Sequence, residues 1–130
     1  MSQREIKFRA WDGEKILLDV VPTTVPHEDP MIIETHWGAG CRLRSVKAIM
    51  QYTGFKDRHG KEIFEGDILE EGQATPIRGI VIWNQETGCF CYKTDLSTIG
   101  LYYLFAGKII GNIYENPDAL PVKLVLDSPE

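Results

Sequence analysis

The chain has 130 residues, 43% hydrophobic and 25% charged, with a formal charge of −5. That length suits one domain, or a small barrel with an appended subdomain, and the apolar share suffices for a core. The acidic balance argues against broad, salt-driven binding to a phosphate backbone, though not against a local basic face.

Near the start, Ile6, Phe8 and Ala10 alternate with Lys7, Arg9 and Trp11, the period of a half-buried strand. Asp12-Gly13 makes a turn and residues 15–21 read as the returning strand of a hairpin. Pro22, Pro26 and Pro30 then interrupt regular structure and mark an extended loop. Residues 31–34 and 41–46 read as short strands around the loop His36-Trp37-Gly38-Ala39-Gly40. Residues 47–51 continue as strand into the densest turn chemistry of the chain.

There, Tyr52-Thr53-Gly54-Phe55 is expected to break any regular element, because Gly54 takes positive φ at little cost. Asp57-Arg58-His59-Gly60 has Asp first and Gly fourth, the pattern of a type I turn. A short run, residues 61–65, ends at Gly66-Asp67, and Ile68-Leu69 starts a new strand. Residues 72–76 read as a long loop. Residues 77–83 are β in character and apolar enough for burial on both sides, and residues 84–88 close a hairpin onto 89–92. Residues 101–105 fit either a strand or a helical turn. Residues 108–114 form a last strand, with Gly111 at a bend or bulge. Asn116-Pro117 reads as an N-cap and first helical position of a brief turn, and residues 122–126 suit an edge strand.

The stretch QYTGFKDRHGKEIFEGDIL, residues 51–69, resembles the signature of the YopX family of bacteriophage and prophage proteins. The opening REIKFRAWD, the pair Ile49-Met50 and the late IGNIYENP agree with it in order. The resemblance implies an SH3-like β-barrel with an additional N-terminal β-hairpin region, a phage or prophage setting, and no established activity. No catalytic residue follows from it. The motif positions Tyr52, Thr53, Gly54, Asp57, Gly60, Gly66, Asp67, Gly111, Asn112 and Tyr114 read as scaffold. The expected organisation is an N-terminal β region over residues 1–46, a barrel over 47–120 and a tail over 121–130.

The chemistry-bearing residues point away from catalysis. Cys89 and Cys91 lie two apart on a strand and share a face. With Cys41 and His36 they supply zinc-type donors but lack the paired knuckles of a structural site, so they read as reduced thiols packed as small apolar groups. Asp57 and Asp67 are explained by their turns, and with Glu62, Glu65, Glu70 and Glu71 they match no calcium loop. His27, His36 and His59 sit in separate loops without a nucleophile partner. Gly38-Ala39-Gly40 lacks a dinucleotide fingerprint. The expectation is a protein without enzymatic activity, cofactor or metal.

Two basic groups, Arg42 with Arg44 and Lys47, and Lys56 with Arg58 and Lys61, lie near Tyr52, Phe55, Trp83 and Tyr92. That is the raw material of a single-strand-binding groove, although a core claims aromatics first. Trp11 and Trp37 suit either the cover of a core edge or a partner or self-association surface. The preferred reading is an interaction module acting through a protein partner or homo-oligomer, with nucleic acid second and membrane excluded. Residues 99–107, the most apolar stretch, are too short to span a bilayer. Three cysteines without an apolar leader or lipidation signal suit a reducing cytoplasm, which the family resemblance makes that of a bacterial host.

Overall fold

The computed structural model describes residues 5–23, 31–37, 40–72, 76–101 and 107–120. Expectations for the proline loop with His27, for Gly38 and Ala39, for positions 73–75 and 102–105, and for the tail therefore lie outside the described residues. The described chain is mainly β, with eleven strands in two antiparallel sheets. These are β1 (Phe8–Trp11), β2 (Ile16–Pro22), β3 (Met31–Trp37), β4 (Gly40–Val46), β5 (Ala48–Lys56), β6 (Glu62–Phe64), β7 (Asp67–Glu71), β8 (Ile77–Asn84), β9 (Cys89–Lys93), β10 (Thr98–Gly100) and β11 (Lys108–Asn112).

The first sheet has the order β4-β3-β2-β1-β5-β6 and the second β10-β9-β8-β7-β11. β10 and β11 end the second order, so the described residues close no barrel. Two compact units divide the chain, Met1–Tyr52 and Thr53–Glu130. The division falls inside β5, whereas the sequence places it after Val46.

In the first unit β1 pairs with both β2 and β5. Ala10, Val20, Ile33, Val46 and Ile49 are buried together, with Phe8, Leu17 and Met31 packed against them. Phe8 and Ala10 join this cluster as expected, but Arg9, expected on the polar face, is buried as well, so burial does not alternate along β1. Ile6 precedes the strand and is exposed. Asp12 makes the predicted turn: its Oδ1 accepts from the backbone N–H groups of Glu14 and Lys15 at 2.7 and 2.8 Å. Past it, the β1–β2 register shifts between Phe8 and Ala10, and Asp19 has φ 53°. The bulge there has no glycine to announce it.

β5 overturns one expectation. Tyr52-Thr53-Gly54-Phe55 does not interrupt the strand, which runs on to Lys56. Gly54 takes φ 89° within it. The Thr53 hydroxyl donates to Ile63 O at 2.8 Å and accepts from Phe55 N–H at 3.1 Å, so a side chain restores the local bonding.

The second unit opens on the Asp57 turn. Gly60 N–H donates to Asp57 O at 2.9 Å, closing the predicted turn with Gly60 at φ 83°. Oδ1 of Asp57 accepts from His59 and Lys61 N–H at 2.8 and 2.9 Å. Its Oδ2 accepts from Ile109 N–H at 3.1 Å, tying the turn to β11. At the next corner Gly66 has φ 84°, and buried Asp67 accepts from Phe64 N–H at 2.8 Å.

Both faces of the second sheet are covered. One carries Leu69, Val81, Phe90, Tyr92 and Leu101 with Ile63; the other carries Ile68, Ile80 and Leu120. Tyr92 Oη donates to Leu69 O and Ile77 O at 3.2 and 3.0 Å. The expected irregularity at Gly111 appears as a register shift between Ile109 and Gly111. The brief turn after it is a 3₁₀ turn, Pro117–Ala119, but the Asn116 side chain does not cap it. Asn116 Oδ1 instead accepts from Asn112 N–H at 3.2 Å, where any Cβ on Gly111 would collide with it.

Two predictions follow from these contacts. Burial alone pushes the Asp57 carboxyl up, but hydrogen bonds from Ile109, Lys61 and His59 outweigh it and hold the group below its ordinary 3.8. Asp57→Asn retains one acceptor oxygen where two are used, and lowers stability at neutral pH by about 1–3 kcal/mol in urea unfolding. Because the folded value is depressed, this contribution is present above 3.8 and is lost as pH falls through the lower folded value. The gap between variant and wild type therefore narrows with acidification. Gly79→Ala places a Cβ 2.5 Å from Lys93 O and 2.7 Å from Tyr92 Cε1, and since the first obstacle is backbone, it costs about 1–3 kcal/mol in the same assay.

Candidate functional site

β3 and β4 form a long hairpin whose pairing runs from Met31–Val46 to Trp37–Gly40. It reaches closer to the turn than the loop expected at positions 36–40. Residues facing each other across an antiparallel pair share a face. Arg44 is opposite Ile33 and Arg42 opposite Thr35, so both arginines lie on the face that carries the buried cluster. Leu43 takes the other face, as alternation predicts, and stands 63% exposed. Glu34 lies beside Leu43, and Val21 of β2, 48% exposed, lies beside Glu34. Exposed Cys41 shares this outward face.

Among the described residues β4 is the terminal strand of its sheet. Such a strand directs half of its backbone N–H and C=O groups away from its neighbour, which makes it a template for a further strand. Here the template carries an outward face with Leu43 and Cys41, and an inward one with Arg42 and Arg44.

Part of the candidate set lies at the β1–β2 turn. Arg44 Nη2 donates to Asp12 Oδ2 at 3.1 Å. Asp12 is held below its ordinary range by the backbone N–H groups of Lys15 and Glu14 first, then by Arg44. Lys47 N–H donates to Trp11 O at 2.8 Å. Trp11 is half-buried, paired across β1–β5 with Ala48. Trp37 pairs with Gly40. Trp11, Arg44 and Lys47 thus come together around the turn, while Arg42 lies farther along β4.

Of the four aromatics named as a stacking platform, Tyr52 and Tyr92 are buried and Phe55 and Trp83 are exposed. Tyr52 is buried, with Lys7 Nζ 5.2 Å from its ring centre. Tyr92 is buried, and burial first, then Glu71 and Glu70, pushes its phenol well up. Trp83 meets Phe90 edge to face at 5.1 Å. Phe55 is exposed.

The family-motif residues act on backbone. Besides Thr53, Asp57 and Asp67, Asn112 Oδ1 accepts from Tyr114 and Glu115 N–H at 3.0 and 2.9 Å, and Asn112 Nδ2 donates to Glu115 Oε1 at 2.7 Å. Gly66 joins the corner strands by donating to Val81 O and accepting from Ile113 N–H. Of the acidic residues, Glu70 pairs with Arg78 at 2.9 Å. His59 accepts from Arg58 Nε at 3.3 Å. Cys89 and Cys91 do share a face, their Sγ atoms 3.7 Å apart. Burial first, then the neighbouring Cys89, raises the Cys91 thiol. No group of three or more His, Cys, Asp or Glu side chains is placed to hold a metal ion among the described residues. No helix among them is long and apolar enough to cross a membrane.

Two antiparallel sheets, turns fixed by carboxylates and amides, and a strand that ends its sheet among the described residues define a small mainly-β protein built around its corners. The chain belongs to the YopX family ("YopX protein"), whose profile matches residues 7–121. It is similar to the crystal structure of protein EF1440 from Enterococcus faecalis, with 28% identity and a TM-score of 0.63. That similarity covers 92% of this chain and all of the other. No curated protein matches it.

The Arg44–Asp12 pair is partly exposed, and Asp12 keeps two backbone donors without it. Arg44→Ala is expected to lower stability only slightly, measured as a small shift of the urea midpoint.

Proposed function

We propose that the protein is a non-enzymatic interaction module, encoded by a phage or prophage and working in the bacterial cytoplasm. It acts by accepting an extended segment of a partner protein along β4. The observation that carries this reading is the terminal position of β4 together with its two-sided character. Strand addition takes its affinity from main-chain hydrogen bonds and its specificity from alternate side chains. A fitting segment is extended and sets apolar residues beside Leu43.

Self-assembly along the same edge is disfavoured. A two-fold antiparallel pairing centred on Leu43 sets Arg42 against Arg44, and centring on either arginine sets it against its own copy. Like charges directly opposed are destabilising. Nucleic-acid binding is weakened as a reading because Arg44 already has a carboxylate partner in Asp12, and Tyr52 and Tyr92 are buried.

We read the second unit as an SH3-like barrel. The support is its strand order: β7, β8, β9 and β10 form a meander, and β11 returns to pair with β7.

The test is a pull-down from bacterial lysate with tagged protein, half of it nuclease-treated, comparing wild type with Leu43→Glu and with Arg42→Ala/Arg44→Ala. A protein retained after nuclease and lost from Leu43→Glu is the expected result. Retention of nucleic acid, lost steeply with salt and on removing the two arginines, overturns it in favour of a nucleic-acid module. A dimer dissociated by Leu43→Glu in sedimentation overturns it in favour of self-assembly.

A further inference from the structure

We propose that Cys89 and Cys91 form an open two-thiolate site on β9 for a soft divalent cation of the zinc and cadmium class. Side chains two apart on a strand share a face, but the strand's rise separates their origins by about 6–7 Å. Here the two rotamers converge, and the sulfurs stand 3.7 Å apart. Two thiolates at about 2.3 Å from a tetrahedral zinc ion lie about 3.8 Å from each other. The donors are therefore spaced for a shared cation without movement of the strand.

The surroundings support the same use. Thr87 Oγ1 lies 3.3 Å from Cys89 Sγ, which brings an oxygen donor to the edge of the pair. The turn that carries Thr87 is held by Asn84, whose Oδ1 accepts from Glu86 N–H at 3.0 Å and whose backbone O accepts from Gly88 N–H at 2.8 Å. Cys91 is buried and Cys89 half-buried, so one donor is anchored while the other meets solvent. Two sulfurs leave two of four tetrahedral positions for water or for a ligand from another molecule, so the site is not a closed structural one. On binding, two S–H bonds are replaced by two metal–sulfur bonds, the two protons pass to solvent, and no electron is transferred.

The experiment titrates the reduced full chain with Cd²⁺ and follows thiolate-to-cadmium absorption, with native mass spectrometry counting bound Zn²⁺. The exposed Cys41 is the rival thiol. Cys41→Ser is expected to retain the band and one cation per chain, and Cys89→Ser to lose both while keeping the wild-type far-ultraviolet circular dichroism. A band that survives Cys89→Ser, or that vanishes in folded Cys41→Ser, overturns the proposal. Should either variant fail to fold, alkylation of the wild-type chain decides. Slower modification of Cys89 in the presence of Cd²⁺ supports the site, and an unchanged rate overturns it.

Discussion

The carboxylate of Asp57 is the constraint on which the second unit depends. Its two oxygens accept three backbone N–H groups, two within its own turn and one from Ile109 on β11. A single ionised side chain thereby joins the β5–β6 corner to a strand fifty-two positions away in sequence. Such bonds are stronger than neutral ones because the acceptor is charged, and a carboxylate offers the acceptor capacity that a turn and a distant strand need together.

The same device recurs at smaller scale. Asp67 takes the N–H of Phe64 in a buried corner, Thr53 bridges the β5–β6 hairpin, and Asn112 gathers two N–H groups after β11. The residues that carry the family resemblance are thus largely side chains that satisfy backbone groups, with glycines where a Cβ does not fit. Gly111 shows why: the space a side chain would take is filled by Asn116, which is itself bound to the Asn112 backbone. A motif of this kind specifies corners.

The first unit puts its charge to a different use. Arg42 and Arg44 alternate with Leu43 on a strand at the end of the sheet, and Arg44 is answered by Asp12 across the β1–β2 turn. Charges inward of an open edge are one way a sheet avoids indiscriminate pairing. The second unit has its own unabsorbed feature in the two converging sulfurs of β9.

Much of this was legible in the residues. Period-two alternation announced β1 and the paired faces of Arg42, Arg44 and Leu43, and Asp-first, Gly-fourth chemistry announced the Asp57 turn. The same reading placed Cys89 and Cys91 on one face, because these properties depend on neighbours in sequence. Other features were decided only by tertiary structure. β5 runs through Gly54 because the Thr53 side chain reaches Ile63. Asp19 bulges with no glycine to mark it, and β10 is too short for any period to show. Gly79 is required by Lys93 O and Tyr92 of the adjoining strand. The burial of Tyr52 and Tyr92, the pairing of Arg44 with Asp12 and the 3.7 Å between the sulfurs belong to the same class. Each depends on distance between atoms remote in sequence or on rotamer choice, and local pattern encodes neither.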